Sequence, residues 1–215
     1  MSVEVKICGV TAPEAVAAAV AGGADYVGFV FYPRSPRYVT PEAAHALAAQ
    51  VPARVTKVGL AVDLDDAALA AILEAVPLDL WQLHGGESPA RVARIKERFG
   101  LPVMKVVKIS EPADLAAAEP YFRVADRLLF DAKPPQEMTE ALPGGNALAF
   151  DWHLLADKAW PLPWMLSGGL DPGNVAEAAR ISGARAVDVS SGVEDRPGLK
   201  NPDKIRAFLA AAKGN

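Results

Sequence analysis

Two turns of small residues lie about twenty positions apart and have the composition of an anion-binding site. Ser167-Gly168-Gly169 follows one short apolar run, and Ser190-Ser191-Gly192 follows another. Small residues let backbone N–H groups approach an anion closely, and a helix N-terminus nearby adds positive potential. The sequence therefore predicts a site for a phosphorylated small molecule, whose phosphate would be held by Gly168, Gly169, Ser190, Ser191 and Gly192.

Cys8 ends an alternating segment at the start of the chain and could transfer a proton. Val3, Val5 and Ile7 face one way, so Lys6 and Cys8 share the other face. A cation within reach favours the thiolate, so Lys6 would lower the pKa of Cys8 and prepare it as a base or nucleophile. The alternative is that Cys8 is a small buried hydrophobic residue.

Asp131 directly follows the apolar run Leu128-Leu129-Phe130 and is a second candidate for proton transfer. A carboxylate at the end of an apolar strand is well placed to act as an acid or a base. Two structural roles are also open: Asp131 could cap the following loop, or it could pair with Lys133.

Three further polar residues could contact a substrate. Arg37 shares a loop with Arg34, and an arginine can bind a carboxylate bidentately. His84 shares a strand face with Gln82, and Asp188 faces inward as either a functional carboxylate or a hydrogen-bond anchor. The histidines show no metal-ligand spacing, so we expect no metal.

The elements that must position these residues alternate regularly along the chain. Eight β-branched runs predict strands near 3–8, 25–31, 54–61, 79–83, 102–107, 126–131, 163–167 and 185–189. Helices are predicted over 13–21, 41–50, 65–76, 89–99 and 172–182, with Thr11 and Glu14 forming a capping box at the first and a residue-proline pair starting several others.

This alternation predicts an α/β protein, a single (β/α)8 TIM barrel over residues 1–215. In that fold the chemistry lies at the carboxyl ends of the strands, and the last two loops are the usual phosphate site. A doubly wound open sheet is the alternative. The irregular segment 132–149 would be a long loop covering the active site.

Composition excludes several classes of protein. The chain is 51% hydrophobic with a mean hydropathy of +0.14, which suits a large core rather than disorder. Its net charge of −4, without a basic cluster, argues against nucleic acid, and no apolar run is long enough for a membrane span. A single cysteine and a start without a signal-type segment lead us to expect a cytoplasmic protein.

Eight motifs in order along nearly the whole chain resemble the phosphoribosylanthranilate isomerase family. They are Lys6-Ile7-Cys8-Gly9-Val10-Thr11, Gly28-Phe29-Val30-Phe31, Ser35-Pro36-Arg37, Gln82-Leu83-His84-Gly85, Leu129-Phe130-Asp131, Phe150-Asp151-Trp152, Ser167-Gly168-Gly169-Leu170 and Val187-Asp188-Val189-Ser190-Ser191-Gly192-Val193-Glu194. The chain departs from the family pattern in strand 3 and in Asn146-Ala147 after Gly144-Gly145.

The resemblance implies an Amadori rearrangement in tryptophan biosynthesis. By this resemblance Cys8 is the general base, Asp131 is the general acid, and Arg37 holds the substrate carboxylate or nearby oxygens. A thiolate and a carboxylic acid can supply both proton transfers, so we expect no cofactor. We expect a monomer or a homodimer. Two other functions are open: the related isomerase of histidine biosynthesis, which looks to carry a carboxylate where this chain has Cys8, and a catalytically silent barrel that senses a sugar phosphate.

Overall fold

Eight parallel strands form a closed barrel in the computed structural model, which describes residues 3–135, 144–145 and 148–214. The strands are β1 (Glu4–Cys8), β2 (Tyr26–Val30), β3 (Thr56–Ala61), β4 (Leu80–Leu83), β5 (Val103–Ile109), β6 (Arg127–Ala132), β7 (Trp164–Leu166) and β8 (Ala186–Val189). Because β1 pairs with both β2 and β8, the sheet has no edge. The predicted (β/α)8 barrel is confirmed, and the open sheet is excluded.

The described part of the chain forms six α-helices around the barrel: α1 (Pro13–Ala21), α2 (Pro41–Ala48), α3 (Asp66–Ala75), α4 (Pro89–Phe99), α5 (Val175–Ser182) and α6 (Pro202–Lys213). Three begin as the sequence predicts, with a proline after a capping residue. Thr40, Ser88 and Asn201 accept backbone N–H bonds at the starts of α2, α4 and α6. None of the described helices is long and apolar enough to cross a membrane.

The start of α1 at Pro13 is as predicted, but the capping box predicted for it and the predicted start of α5 are wrong. The cap of α1 is Ala12, without a side-chain hydrogen bond, because the Thr11 hydroxyl instead donates to the carbonyl of Gly198 at 3.1 Å. Helix α5 begins at Val175 rather than Pro172. The carboxylate of Asp171 accepts the N–H groups of Gly173 and Asn174, which forms a turn before the helix.

Two connections around the barrel contain 3₁₀-helix in their described residues. Pro112–Tyr121 links β5 to β6, and its internal proline at 120 cannot donate a backbone hydrogen bond. The short 3₁₀ turn Trp152–Leu154 precedes β7. Part of the predicted covering loop, residues 136–143 and 146–147, lies outside the described residues.

The core has an outer and an inner layer. The outer layer, between strands and helices, contains the large fully buried side chains of Phe29, Trp81, Phe130 and Phe208. The lower interior of the barrel holds the apolar set Tyr26, Val58, Leu80, Met104, Val106, Leu129, Met165 and Ala186. A side chain buried in this way contributes roughly 1.5–3 kcal/mol. The apolar interior supports the polar residues above it at the carboxyl ends of the strands.

The β8 end carries a small additional hairpin. Strands β9 (Glu194–Arg196) and β10 (Leu199–Lys200) pair antiparallel between β8 and α6. Gly198 at the turn has φ of +84°, and a Cβ there would meet the carbonyl oxygen of Pro36 at 2.3 Å. The hairpin therefore packs closely against the loop after β2, and this contact brings Glu194 to Arg37.

Candidate active site

A cavity of about 750 Å³, including its open mouth, lies at the carboxyl ends of the strands. Nine of the ten residues that the sequence singles out line it. The exception is Gly192, which lies in the 3₁₀ turn Ser191–Val193 beside the cavity. The fold thus brings together residues that are up to 183 positions apart, Cys8 and Ser191.

Cys8 lies at the end of β1 with 4% of its surface exposed. Gly28 on the neighbouring strand leaves room for it: a Cβ there would lie 3.1 Å from both the Cys8 sulfur and the Lys6 ammonium. Burial raises the pKa of the Cys8 thiol, and the Lys6 charge only partly offsets this effect. Lys6 thus lowers the pKa of the thiol as expected, but burial outweighs it, so the net pKa is raised and not lowered.

Lys6 is less effective than expected because it has its own counterion. Its ammonium donates to Asp188 at 2.8 Å, and the other oxygen of Asp188 accepts the Ser167 hydroxyl at 3.0 Å. Burial alone would lower the pKa of Lys6, but the charges of Asp188 and Cys8 raise it overall, so Lys6 stays protonated. Both oxygens of Asp188 are thus engaged by the protein, as an internal anchor requires, although the residue also lines the cavity.

Asp131 ends β6 and is linked to His84 across the cavity floor. Its Oδ2 lies 3.3 Å from His84 Nε2, and its Oδ1 accepts the N–H of Ala132 at 3.0 Å. The pair with Lys133 does not form, because that ammonium donates to Asp114 at 2.6 Å. Asp131 is 6% exposed and keeps one side toward the cavity.

Arg37 is held by a carboxylate of the protein itself. Its Nε and Nη2 donate to the two oxygens of Glu194 at 2.8 and 2.9 Å, and Lys200 donates to the same carboxylate at 2.5 Å. Burial opposes ionisation of Glu194, yet these two cations lower its pKa overall. The edge of the guanidinium formed by Nε and Nη2 is therefore occupied. A substrate anion can bind only the edge formed by Nη1 and Nη2.

Lys200 connects this cluster to the turn after β8. Its ammonium donates to the carbonyl and hydroxyl oxygens of Ser190 at 3.0 and 3.2 Å, and Ser190 Oγ donates to the carbonyl of Cys8 at 3.2 Å. Burial lowers the pKa of Lys200, and the Glu194 charge opposes that effect. One hydrogen-bonded chain thus links Arg37, the predicted phosphate turn and the backbone of the candidate base.

The glycines of the predicted phosphate turns are required by backbone packing. Gly168 and Gly169 have φ of +90° and +63°, and a Cβ on them would meet the backbone nitrogens of Ala132 and Ala149 at 2.7 and 2.9 Å. A Cβ on Gly192 would lie 1.9 Å from the carbonyl oxygen of Leu170. The two turns therefore pack against each other and against the loop after β6, which leaves Gly168, Gly169, Ser190 and Ser191 at the cavity surface.

The sequence interpretation missed a buried ion pair beside His84. Lys105 donates to Glu87 at 2.6 Å and to the carbonyl of Gly85 at 2.7 Å, and Glu87 accepts the N–H of Asp63 at 2.9 Å. These bonds hold the loop after β4 against that after β3. A signal was available: Lys105 alternates with Met104 and so falls on the helix-facing side of β5, where a lysine needs a counterion.

Comparison with known proteins gives one consistent family. A family model described as "N-(5'phosphoribosyl)anthranilate (PRA) isomerase" matches residues 5–211. A curated N-(5'-phosphoribosyl)anthranilate isomerase of Paramagnetospirillum magneticum is 63% identical over 214 residues, covering 100% of this chain and 99% of the relative.

Solved structures agree with this result. The phosphoribosyl anthranilate isomerase of Thermotoga maritima superimposes with a TM-score of 0.88 at 39% identity, covering 99% of this chain and 100% of the other. Another such isomerase, solved in complex with reduced 1-(o-carboxyphenylamino)-1-deoxyribulose 5-phosphate, gives a TM-score of 0.85 at 37% identity with the same coverage. The chain belongs to the N-(5′-phosphoribosyl)anthranilate isomerase family.

Proposed function

We propose that this cavity converts N-(5-phosphoribosyl)anthranilate to 1-(2-carboxyphenylamino)-1-deoxyribulose 5-phosphate, with Cys8 as general base and Asp131 as general acid. The reaction is that of the family, the third step from chorismate in tryptophan biosynthesis. The observation that supports the assignment most strongly is one cavity lined by a thiol, a carboxyl group and two glycine-serine turns. A neighbouring structure of the same family holds a ligand with the corresponding carboxyl and phosphate groups.

The two proton transfers need groups with opposite requirements. Asp131 gives its proton to the furanose ring oxygen while the bond from that oxygen to C1′ breaks, and the lone pair of the anilino nitrogen forms an iminium. Cys8 then takes the proton from C2′, and the electrons of that bond form an enolamine. The enolamine becomes the ketone when a proton is added at C1′ and the proton of the 2′-hydroxyl leaves. Each step is balanced without an external oxidant or reductant.

The charges around the cavity suit a substrate with two anionic ends. The turns of Gly168-Gly169 and Ser190-Ser191 would bind the phosphate, and Lys200 behind Ser190 adds positive charge. The other edge of Arg37, where Nη2 also donates to the carbonyl of Gly145 at 3.4 Å, would bind the carboxylate of the anthranilate or nearby substrate oxygens. Lys6 would stabilise the thiolate when Cys8 loses its proton.

We propose that the enzyme is a monomer or a homodimer, since the related solved structures include monomers generated from a dimeric phosphoribosylanthranilate isomerase of Thermotoga maritima. We place the enzyme in the cytoplasm, because the sole cysteine is the proposed base and must stay reduced.

The test compares Cys8→Ser and Asp131→Asn by the loss of anthranilate-type fluorescence when the substrate is generated in situ. Each variant should lose at least about 10²-fold in kcat while still binding a product analogue, because only proton transfer is removed. The control Asp203→Asn, on the exposed first turn of α6, should keep full activity. With a substrate that is already ring-opened, Asp131→Asn should recover part of its rate and Cys8→Ser should not. Normal turnover by Cys8→Ser would disprove the assignment of the base.

A further inference from the structure

Gln82 is a wholly buried polar residue whose contacts point to the candidate acid. Its amide nitrogen lies 3.2 Å from Nδ1 of His84, and Nε2 of the same ring lies 3.3 Å from Oδ2 of Asp131. The exposed fractions of Gln82, His84 and Asp131 are 0%, 6% and 6%, and all three line the cavity. Among the described residues Gln82 Oε1 accepts no hydrogen bond.

The amide group determines which ring nitrogen of His84 can carry a proton. An NH₂ group only donates, so the Nδ1 that faces it must present a lone pair. The single proton of the neutral ring is then on Nε2 and is donated to Asp131. A second proton on Nδ1 would set two donors against each other, so this contact disfavours the imidazolium.

A positively charged His84 ring would prevent Asp131 from acting as the general acid. A positive ring 3.3 Å from Oδ2 would favour the carboxylate form of Asp131, which has no proton to give. A neutral ring that donates from Nε2 instead supports the negative charge that appears on Asp131 as its proton leaves. Gln82 therefore acts on the reaction through His84.

No other described group around His84 takes the place of Gln82 in setting which ring nitrogen carries the proton. Cys8, Tyr32, Arg37 and Asp188 line the same cavity, and the Lys105–Glu87 pair lies behind the loop at Gly85, but the described hydrogen bonds of the ring go only to Gln82 and Asp131. Gly144 packs against the ring, because a Cβ there would lie 2.6 Å from His84 Cε1. The ring is thus held between its two partners.

We propose that Gln82 is a positioning residue that keeps His84 neutral with its proton on Nε2, and thereby keeps Asp131 competent as the acid. This inference rests on the proposed role of Asp131. It assigns a function in the reaction to a buried amide that does not itself transfer a proton.

The direct test is ¹⁵N NMR of protein labelled at its three histidines, with the His84 signals assigned by their loss in His84→Asn. At neutral pH the wild-type protein should show a protonated Nε2 and an unprotonated Nδ1. Gln82→Glu places an acceptor beside Nδ1 and should give a ring protonated on both nitrogens. A wild-type ring protonated on Nδ1 would overturn the proposal, and this protonation is read from the wild-type protein, with His84→Asn needed only to assign the signals.

Kinetics provide the second readout. Gln82→Glu should lower kcat by roughly ten- to a hundred-fold with KM changed less than about threefold, since the loss is bounded by the about 10²–10⁴-fold that a general acid supplies. Gln82→Leu should lower kcat by less, because it leaves Nδ1 of His84 facing neither a donor nor an acceptor. The matched control is Gln50→Leu, an exposed glutamine near the end of α2 that should change nothing.

The two proposals can fail separately. If Gln82→Glu doubly protonates His84 and kcat is unchanged, the link from His84 to the reaction is wrong. If Asp131→Asn is fully active while the wild-type tautomer is as expected, the assignment of the acid fails and the effect of Gln82 on His84 stands. Unchanged protonation of His84 in Gln82→Glu, in a variant that still binds product analogue, would also contradict the proposal.

Discussion

The carboxylate of Glu194 holds two buried cations, so Glu194→Gln should reduce both stability and substrate binding. Its oxygens accept two hydrogen bonds from Arg37 and one from Lys200, and the side chains of the three residues are 3%, 5% and 1% exposed. Removing one member of such a pair leaves an uncompensated buried charge, which costs about 3–5 kcal/mol. At about 2–4 °C per kcal/mol for a protein of this size, Tm should fall by roughly 6–20 °C.

The same substitution should release Arg37 from its fixed orientation. The edge of the guanidinium formed by Nε and Nη2 would lose both ionic bonds, so we expect kcat/KM to fall about tenfold, which corresponds to about 1.4 kcal/mol. The measurements are urea unfolding followed by tryptophan fluorescence and steady-state kinetics. The control is Glu177→Gln on the exposed face of α5, whose contact with Arg180 is 4.0 Å long and whose loss should change stability by less than about 0.5 kcal/mol.

The pH dependence of this difference follows from the lowered pKa of Glu194. The stabilisation by the carboxylate is complete above its unfolded pKa of about 4.3 and is lost as the pH falls through the lower folded value. The gap in unfolding free energy between wild type and Glu194→Gln should therefore close only in acid. A gap below about 1 kcal/mol at neutral pH, together with unchanged kcat/KM, would refute the role of Glu194.

Three shorter predictions concern the base and the carboxylate site. Gly28→Ala should lower kcat more than it raises KM, because its Cβ would lie 3.1 Å from both the Cys8 sulfur and the Lys6 ammonium and would displace them. Steady-state kinetics measure this effect, and an unchanged kcat would contradict it. The alkylation rate of Cys8 should rise with pH, and its midpoint should lie above that of a free thiol in the same buffer because burial raises the pKa of Cys8. A midpoint below that of the free thiol would show that the charge of Lys6 outweighs burial. Arg37→Lys should reduce kcat/KM about tenfold or more, because lysine lacks the planar pair of donors of the guanidinium group. Arg34→Lys, at an exposed position, should leave kcat/KM unchanged, and equal kcat/KM values for the two variants would show that Arg37 does not bind the substrate.

Local sequence features predicted the strands well. Each strand begins and ends within two residues of the expected position, because parallel strands covered on both faces are short β-branched runs. The capping box at Thr11 failed because that hydroxyl bonds to Gly198, 187 positions away. A distant carbonyl competed with a local cap, and no window of sequence contains both.

The sequence was enough to predict most of the residues that line the cavity, but not the ion pairs among them or the directions of their pKa shifts. Alternation in β1 correctly placed Lys6 below Cys8, yet the direction of the thiol pKa depends on how completely seven other strands enclose it. Nothing in the sequence indicated that Arg37 also pairs bidentately with Glu194, 157 positions away, and its predicted contact with a substrate carboxylate stays a prediction. Such pairings depend on tertiary contacts that spacing alone does not encode.

The closure of the barrel by β1 and β8 also has a consequence for folding. The contacts that enclose Cys8, from Lys6 to Asp188 and from Ser190 to the Cys8 carbonyl, each span 182 positions. Contacts of such large sequence separation require loop entropy to be lost first, so they form slowly. A chain whose first and last strands have not yet paired leaves the thiol in water. The chemical reactivity of Cys8 during refolding would therefore report the moment at which the ring of strands closes.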